Sequence, residues 1–276
     1  MGGFGPLAGA HFYRRLVELT PATGDEGHLA VVFLSEPNVP SRIRHLLGEG
    51  PTPVPALTRI AKALEQAGAD TIAIPSATVH AYHNDIQAAV SIPVLHLPQL
   101  VMAAVERAGA RRVALLATTP TVRLGLYAEP AQERHLAVLT PDGASQDQVM
   151  DVISFVKAGG DPSRAASRLT DLTKGAWATG ADIFLLGCTE LPAVYPHALR
   201  PPGTLDATDE LARGVLRAFG YAPKDAPSGA GGGPNHADQN GHGLATPAQG
   251  GVVGRVLTSE RKEMSDGSRQ TAQPGG

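Results

Sequence analysis

Two stretches of this 276-residue chain are near copies of each other. Ala67-Gly68-Ala69-Asp70 leads through Thr71–Pro75 to Ser76, and Thr179-Gly180-Ala181-Asp182 leads through Ile183–Gly187 to Cys188, with matching residues 112 positions apart. Each copy reads as a helix end, a glycine turn, a short buried strand and a small nucleophilic side chain where the strand stops. A threonine follows closely in both, Thr78 and Thr189. In open parallel sheets, ligands sit at the carboxyl ends of the strands. The duplication therefore predicts two pseudo-symmetric lobes that present Ser76 and Cys188 to each other across a cleft. That arrangement suits moving a proton between two faces of one carbon.

A second correspondence extends the repeat. Pro93–Leu97 with the helix ending at Gly109 matches Gly203–Asp206 with the helix ending at Gly220, an offset of 111. Apolar runs at Leu29–Leu34, Thr71–Pro75, Pro93–Leu97, Val113–Ala117, Leu136–Thr140, Ile183–Gly187 and, weakly, Thr204–Asp206 alternate with helical patterns. Such alternation calls for an α/β fold, here two lobes that are each a parallel sheet flanked by helices, with the active site in the cleft between them. Leu57, Ile60, Ala61, Leu64 and Ala67 form one helical stripe that Gly68 ends, and Leu100, Ala104, Val105 and Ala108 form another before Gly109. The expected organisation is a first lobe from 1–97 plus 206–222, a second from 98–205, and a tail over 223–276. That last stretch has no aromatic residue and is rich in Gly, Pro, Ser, Gln and Asn, so burial there does not offset chain entropy and it reads as disordered. The Thr-rich turn after Val113–Ala117 and Tyr127 correspond to Gly2–Pro6 and Tyr13. The partner of Val113–Ala117 is thus expected ahead of Met1, in a chain that starts late.

Composition narrows the partners. A net charge of −3 without a basic cluster argues against nucleic acid. No apolar run approaches the ~18 residues of a membrane span, and no signal peptide is evident. A single cysteine allows no internal disulfide and fits a reducing cytoplasm.

Several residues can carry chemistry. Cys188 at a strand end, followed by a helix, is expected to have its thiol pKa lowered by nearby backbone N–H groups. Taken alone it would be a small buried hydrophobe, but its match to Ser76 in the repeat gives it a role that packing does not require. Ser76 can equally be read as the N-cap of the next helix. Thr118, Thr119 and Thr121 place three hydroxyls at a strand-to-helix turn, which suits a carboxylate or phosphate. The counterpart Gly2-Gly3-Phe4-Gly5-Pro6 lacks a Walker lysine and the dinucleotide spacing. Arg42 arrives at the same sheet edge and suits bidentate carboxylate recognition. Lys157 can be a helix C-terminal charge. His80 and His83 lack an evident third ligand, so no metal is expected.

These residues resemble the cofactor-independent aspartate/glutamate racemase superfamily, its aspartate racemase branch above all, over residues 2–221. The resemblance rests on Gly2–Ala8 with Phe12-Tyr13-Arg14-Arg15, on Pro40-Ser41-Arg42, on Ile74-Pro75-Ser76-Ala77-Thr78-Val79-His80 and on Gly187-Cys188-Thr189-Glu190-Leu191. It implies a PLP-independent isomerase without cofactor, acting at the α-carbon of an acidic amino acid, aspartate or glutamate. Cys188 would be the main acid/base, and Ser76 would stand where a second cysteine is usual. Thr78, Thr118, Thr119, Thr121 and Thr189 would surround the α-carboxylate. Arg42 and Lys157 would meet the distal carboxylate. It also implies a homodimer. Replacement of the usual Cys-Asn by Ser76-Ala77 points to one-sided or weak activity, because a serine hydroxyl is a far weaker acid than a thiol. Two alternatives stand beside this reading: a single-cysteine decarboxylase of a malonate-type substrate, and a catalytically impaired ligand-binding homologue.

Overall fold

The computed structural model describes residues 1–194 and 203–224. The expected tail, apart from its first two residues, lies outside the described residues.

A glycine-rich turn opens into α1 (Pro6–Leu19), whose proline occupies the first turn, where no N–H partner is needed. Ser41 caps α2 (Arg42–Leu46) by accepting the Arg44 amide. The stripe of Leu57, Ile60, Ala61 and Leu64 is the buried face of α3 (Val54–Gln66), and Gly68 ends that helix at φ +87°. After Ser76 the chain makes a 3-10 turn, Ala77–Tyr82, and then α4 (His83–Ala88). α5 (Leu97–Arg107) leads through Gly109 into β1 (Arg112–Leu116). α6 (Thr119–Arg123), α7 (Ala128–Gln132), β2 (Ala137–Leu139), α8 (Gly143–Lys157) and α9 (Ala166–Thr173) follow. β3 (Ile183–Leu186), α10 (Leu191–Val194), β4 (Leu205–Asp206) and α11 (Ala207–Ala218) complete the described fold.

The four strands form one parallel sheet in the order β2-β1-β3-β4, with Val113 beside Ile183 and Leu116 beside Leu186. Strand alternation sends successive residues to opposite faces. Val113, Leu115, Ile183 and Leu185 pack with Val101, Met102 and Val105 of α5 and Leu211 of α11. Ala114, Leu116, Phe184 and Leu186 pack with Val149, Val152 and Ile153 of α8 and Leu169 of α9. Burying each large aliphatic side chain contributes roughly 1.5–3 kcal/mol, so a sheet covered on both faces carries much of this half's stability. The α/β class and the parallel sheet flanked by helices stand as read.

The first half departs from its strand pattern. A third core gathers Leu57, Ile60, Ile72, Ile74, Ile86 and Val94. Yet Leu29–Leu34, Thr71–Pro75 and Pro93–Leu97 form no strand ladder, only the single parallel bridges Gly2 to Ser35 and Ile72 to Val94. Met1 and Gly2 join these segments: the Gly2 N–H donates to Leu34 O, the Glu36 N–H to Gly2 O, and the Met1 ammonium to Ala73 O. These single bonds make no ladder, and Val31, Val32 and Phe33 are exposed.

Candidate active site

Three chain turns meet at one cavity of about 230 Å³, the turns that follow β1, β3 and the extended segment ending at Pro75. Ser76, Thr78, Thr118, Thr121, Cys188 and Thr189 line it, with Arg42 and Lys157 on its wall. Both copies of the repeat thus deliver their terminal nucleophile to one space. Gly187, just before the thiol, has no room for a side chain: a Cβ there would meet Leu115 Cδ1 at 2.7 Å and Tyr127 Cε2 at 3.3 Å. Strand β3 must pass this close to its neighbours to bring Cys188 to the edge of the cavity.

The thiol is the most strongly conditioned group. Cys188 is only 6% exposed. Its Sγ–H donates to Glu190 Oε2 at 2.9 Å. Contrary to the expectation of a lowered thiol pKa, burial first and the Glu190 carboxylate second push it well above the ordinary cysteine value, with Lys157 pulling only partly the other way. The reason is that desolvation of a thiolate and a facing carboxylate outweigh the short helix that follows. Glu190 is the residue that motif reading quoted without a role. Its side chain is 8% exposed, and its Oε1 pairs with Lys157 Nζ at 2.7 Å. The signal was present in Cys188-Thr189-Glu190, but nothing local announces a partner from the end of α8.

Arg42 is held by main chain. Its Nη2 donates to Phe4 O at 2.7 Å, its Nη1 faces Pro40 O and Val39 O, and the guanidinium lies 5.1 Å from the Phe4 ring centre. No carboxylate pairs with it within ion-pair distance among the described residues, and burial draws its pKa below the ordinary arginine value. Ser76 begins the 3-10 turn without capping it, and its Oγ lies 3.4 Å from Thr78 Oγ1. Thr118 does cap α6, accepting the Thr121 amide, and its Oγ1 lies 2.9 Å from Thr121 Oγ1. Thr119 is not brought to the cavity: its Oγ1 accepts from Gln146 Nε2 at 3.3 Å on α8. One helical step turns its side chain away from its neighbours'. Tyr127 was not foreseen either. It is fully buried behind Gly187, its hydroxyl without a partner among the described residues, and burial raises its pKa, with Cys188 and Asp206 adding to the effect.

Comparison with known proteins identifies the family. The Asp/Glu/hydantoin racemase family model matches residues 1–214. The chain therefore belongs to that family, a family of racemases. An aspartate racemase from Picrophilus torridus superposes with a TM-score of 0.72 at 28% identity, covering 81% of this chain and 94% of that one. The broad specificity amino-acid racemase RacX of Bacillus subtilis is 28% identical over 163 residues, 56% of this chain and 67% of its own length. An uncharacterised protein of Pectobacterium carotovorum, encoded beside pnlA, is 33% identical over 140 residues, half of this chain and 93% of its own. Among the described residues no helix is long and apolar enough to cross a membrane.

Proposed function

We propose that this protein removes and returns the α-proton of an acidic amino acid without a cofactor, working mainly from the Cys188 face. The observation that carries this reading is that Cys188 and Ser76, from the two halves of the repeat, line one small cavity together with Arg42. Charge supports the substrate class. Arg42 and Lys157 against Glu190 leave the lining residues at a net +1, the complement of a dicarboxylic amino acid, which carries −1 at neutral pH. The hydroxyls of Thr78, Thr118, Thr121 and Thr189 supply donors for the α-carboxylate, and Arg42 supplies the charge for the distal one.

In this reading the Cys188 proton passes to Glu190, and the thiolate takes the proton from Cα. The electron pair left on carbon spreads into the α-carboxylate. Return of a proton from Cys188 gives exchange with retention. Delivery from Ser76 gives inversion and leaves an alkoxide that solvent must reprotonate. General acid catalysis works best with a pKa near the working pH, so inversion lags behind exchange. The test is NMR-detected deuterium incorporation at Cα across L- and D-aspartate and glutamate in heavy water. Incorporation that disappears in Cys188→Ala supports the reading, and its absence from every dicarboxylic amino acid overturns it.

A further inference from the structure

We propose that the protein holds a second ligand site, apart from the amino-acid cavity, in which Arg107, Arg213 and Arg217 clasp a phosphate group. The site goes beyond the function proposed above and stands or falls separately from it.

A second cavity, of about 220 Å³, lies where α5 and α11 meet beside β4, and it shares no lining residue with the cavity that holds Cys188. Helix packing builds it. Gly214 on α11 has no room for a side chain, since a Cβ there would stand 2.5 Å from Leu100 Cδ1 on α5. The two helices therefore approach closely and carry their arginines to one place. Arg107 stands in the last turn of α5 and Arg217 in the last turn of α11, positions that suit a cation at any single helix end. That preference does not account for both ends, and Arg213 with them, opening on one cavity.

Three carboxylates also line the cavity, and two are committed elsewhere. Asp209 is matched by Arg15, whose Nε donates to Oδ1 at 2.5 Å and Nη2 to Oδ2 at 2.8 Å. Asp206 caps α11, its Oδ1 accepting the Thr208 amide at 2.7 Å while Oδ2 faces His11 Nε2 at 3.5 Å. Glu210 remains for the three guanidiniums. Its Oε2 lies 3.6 Å from Arg107 Nη2 and its Oε1 3.5 Å from Arg213 Nε, both longer than the roughly 2.7–2.9 Å of a charge-assisted hydrogen bond. Arg217 has no carboxylate within ion-pair distance among the described residues. Burial and the neighbouring Arg107 draw its pKa below the ordinary arginine value, and Glu210 offsets this only in part. Three positive charges thus share one carboxylate, and the excess of two is what a dianion compensates. Guanidinium forks suit carboxylate and phosphate alike. Three of them converging from two helices favour the tetrahedral group, because its oxygens point in several directions while a carboxylate lies in one plane.

The probe is inorganic phosphate, titrated into the full-length protein by calorimetry and by thermal unfolding, with ionic strength held constant by chloride. A Kd of about 1 mM is expected, well within the limit for so small a ligand. At tenfold that concentration Tm should rise by about 3–5 °C over the chloride control. Arg107→Gln and Arg217→Gln alter solvent-accessible side chains, and each is expected to weaken binding at least tenfold. Glu210→Gln removes the competing carboxylate and should tighten binding at least threefold. Arg42→Met, in the other cavity, should leave a phosphate response that Arg217→Gln then abolishes. A Tm no higher in phosphate than in chloride overturns the proposal. So does a response that survives the Arg107→Gln, Arg217→Gln double variant or vanishes in Arg42→Met, because phosphate then occupies the Cys188 cavity. Succinate binding as tightly as phosphate at the arginine site overturns the assignment of a phosphate group.

Discussion

The Cys188 thiol donates its hydrogen to Glu190 Oε2 across 2.9 Å. A thiol so placed does not start as a base. Burial and the facing carboxylate favour its protonated form, and the same carboxylate is the acceptor that its proton meets first. In the proposed reaction the thiol therefore acts through this hydrogen bond rather than as a free thiolate.

Replacing that acceptor tests the sharing. Glu190→Gln is expected to lower Cα exchange about 10²-fold near pH 7, a common cost of removing a general base. The deficit should shrink as pH rises and the thiol loses its proton to solvent instead. A pH–rate profile measured by deuterium wash-in on variant and wild type shows this directly. An unchanged rate at neutral pH would mean that the proton leaves by another route.

In the proposed reaction Ser76 limits the opposite face. Ser76→Cys restores a group of ordinary pKa about 8.5 in place of a hydroxyl, so the ratio of inversion to exchange is expected to rise tenfold or more. Polarimetry combined with NMR on the same sample gives the ratio. If it stays constant, proton delivery does not pass through this position.

Gly187 tests the close passage of β3. Its substitution by alanine sets a Cβ 2.7 Å from Leu115 Cδ1, and overpacking of this kind costs about 1–3 kcal/mol. Calorimetry should show Tm lowered by several degrees. The thiol should also be displaced, so exchange is expected to fall more than stability alone explains.

Acid stability follows from a buried imidazole. His80 is fully enclosed beside His96 and His83, and burial together with these neighbours depresses its pKa to about 3. Above pH 6.5 the ring is neutral in both folded and unfolded chains. Below that the unfolded chain takes up a proton that folded His80 refuses until about pH 3, so stability falls as pH drops through this window. One such group contributes up to about 1.4 kcal/mol per pH unit. His96, also lowered, adds in the same direction. Urea midpoints at pH 7.5, 6 and 5 check the trend, and His80→Leu should flatten it.

How much of this was legible beforehand differs by residue. Local periodicity and its punctuation are encoded in neighbouring positions. The stripe of α3 ending at Gly68, the helix before Gly109, and the strands of the second half could all be read from the sequence, as could the ends that carry Ser76 and Cys188. The duplication placed these two residues in equivalent positions, and the cavity they share follows from that symmetry. The expected strands of the first half were not decided in this way. A strand exists only through its neighbour, and here only the single bridges Gly2 to Ser35 and Ile72 to Val94 join these segments.

The charge state of the site belongs to tertiary structure alone. Lys157 closes α8 and Glu190 precedes α10, and packing brings their ends to 2.7 Å. Thr119 turns toward Gln146 because of where α8 lies. Sequence determined which side chains stand at the strand ends, since that depends on residues a few positions apart. Packing of distant segments decided which of them are desolvated, which charges are compensated and which way the thiol's pKa moves, since burial and Coulomb interactions depend on distance in space and not along the chain.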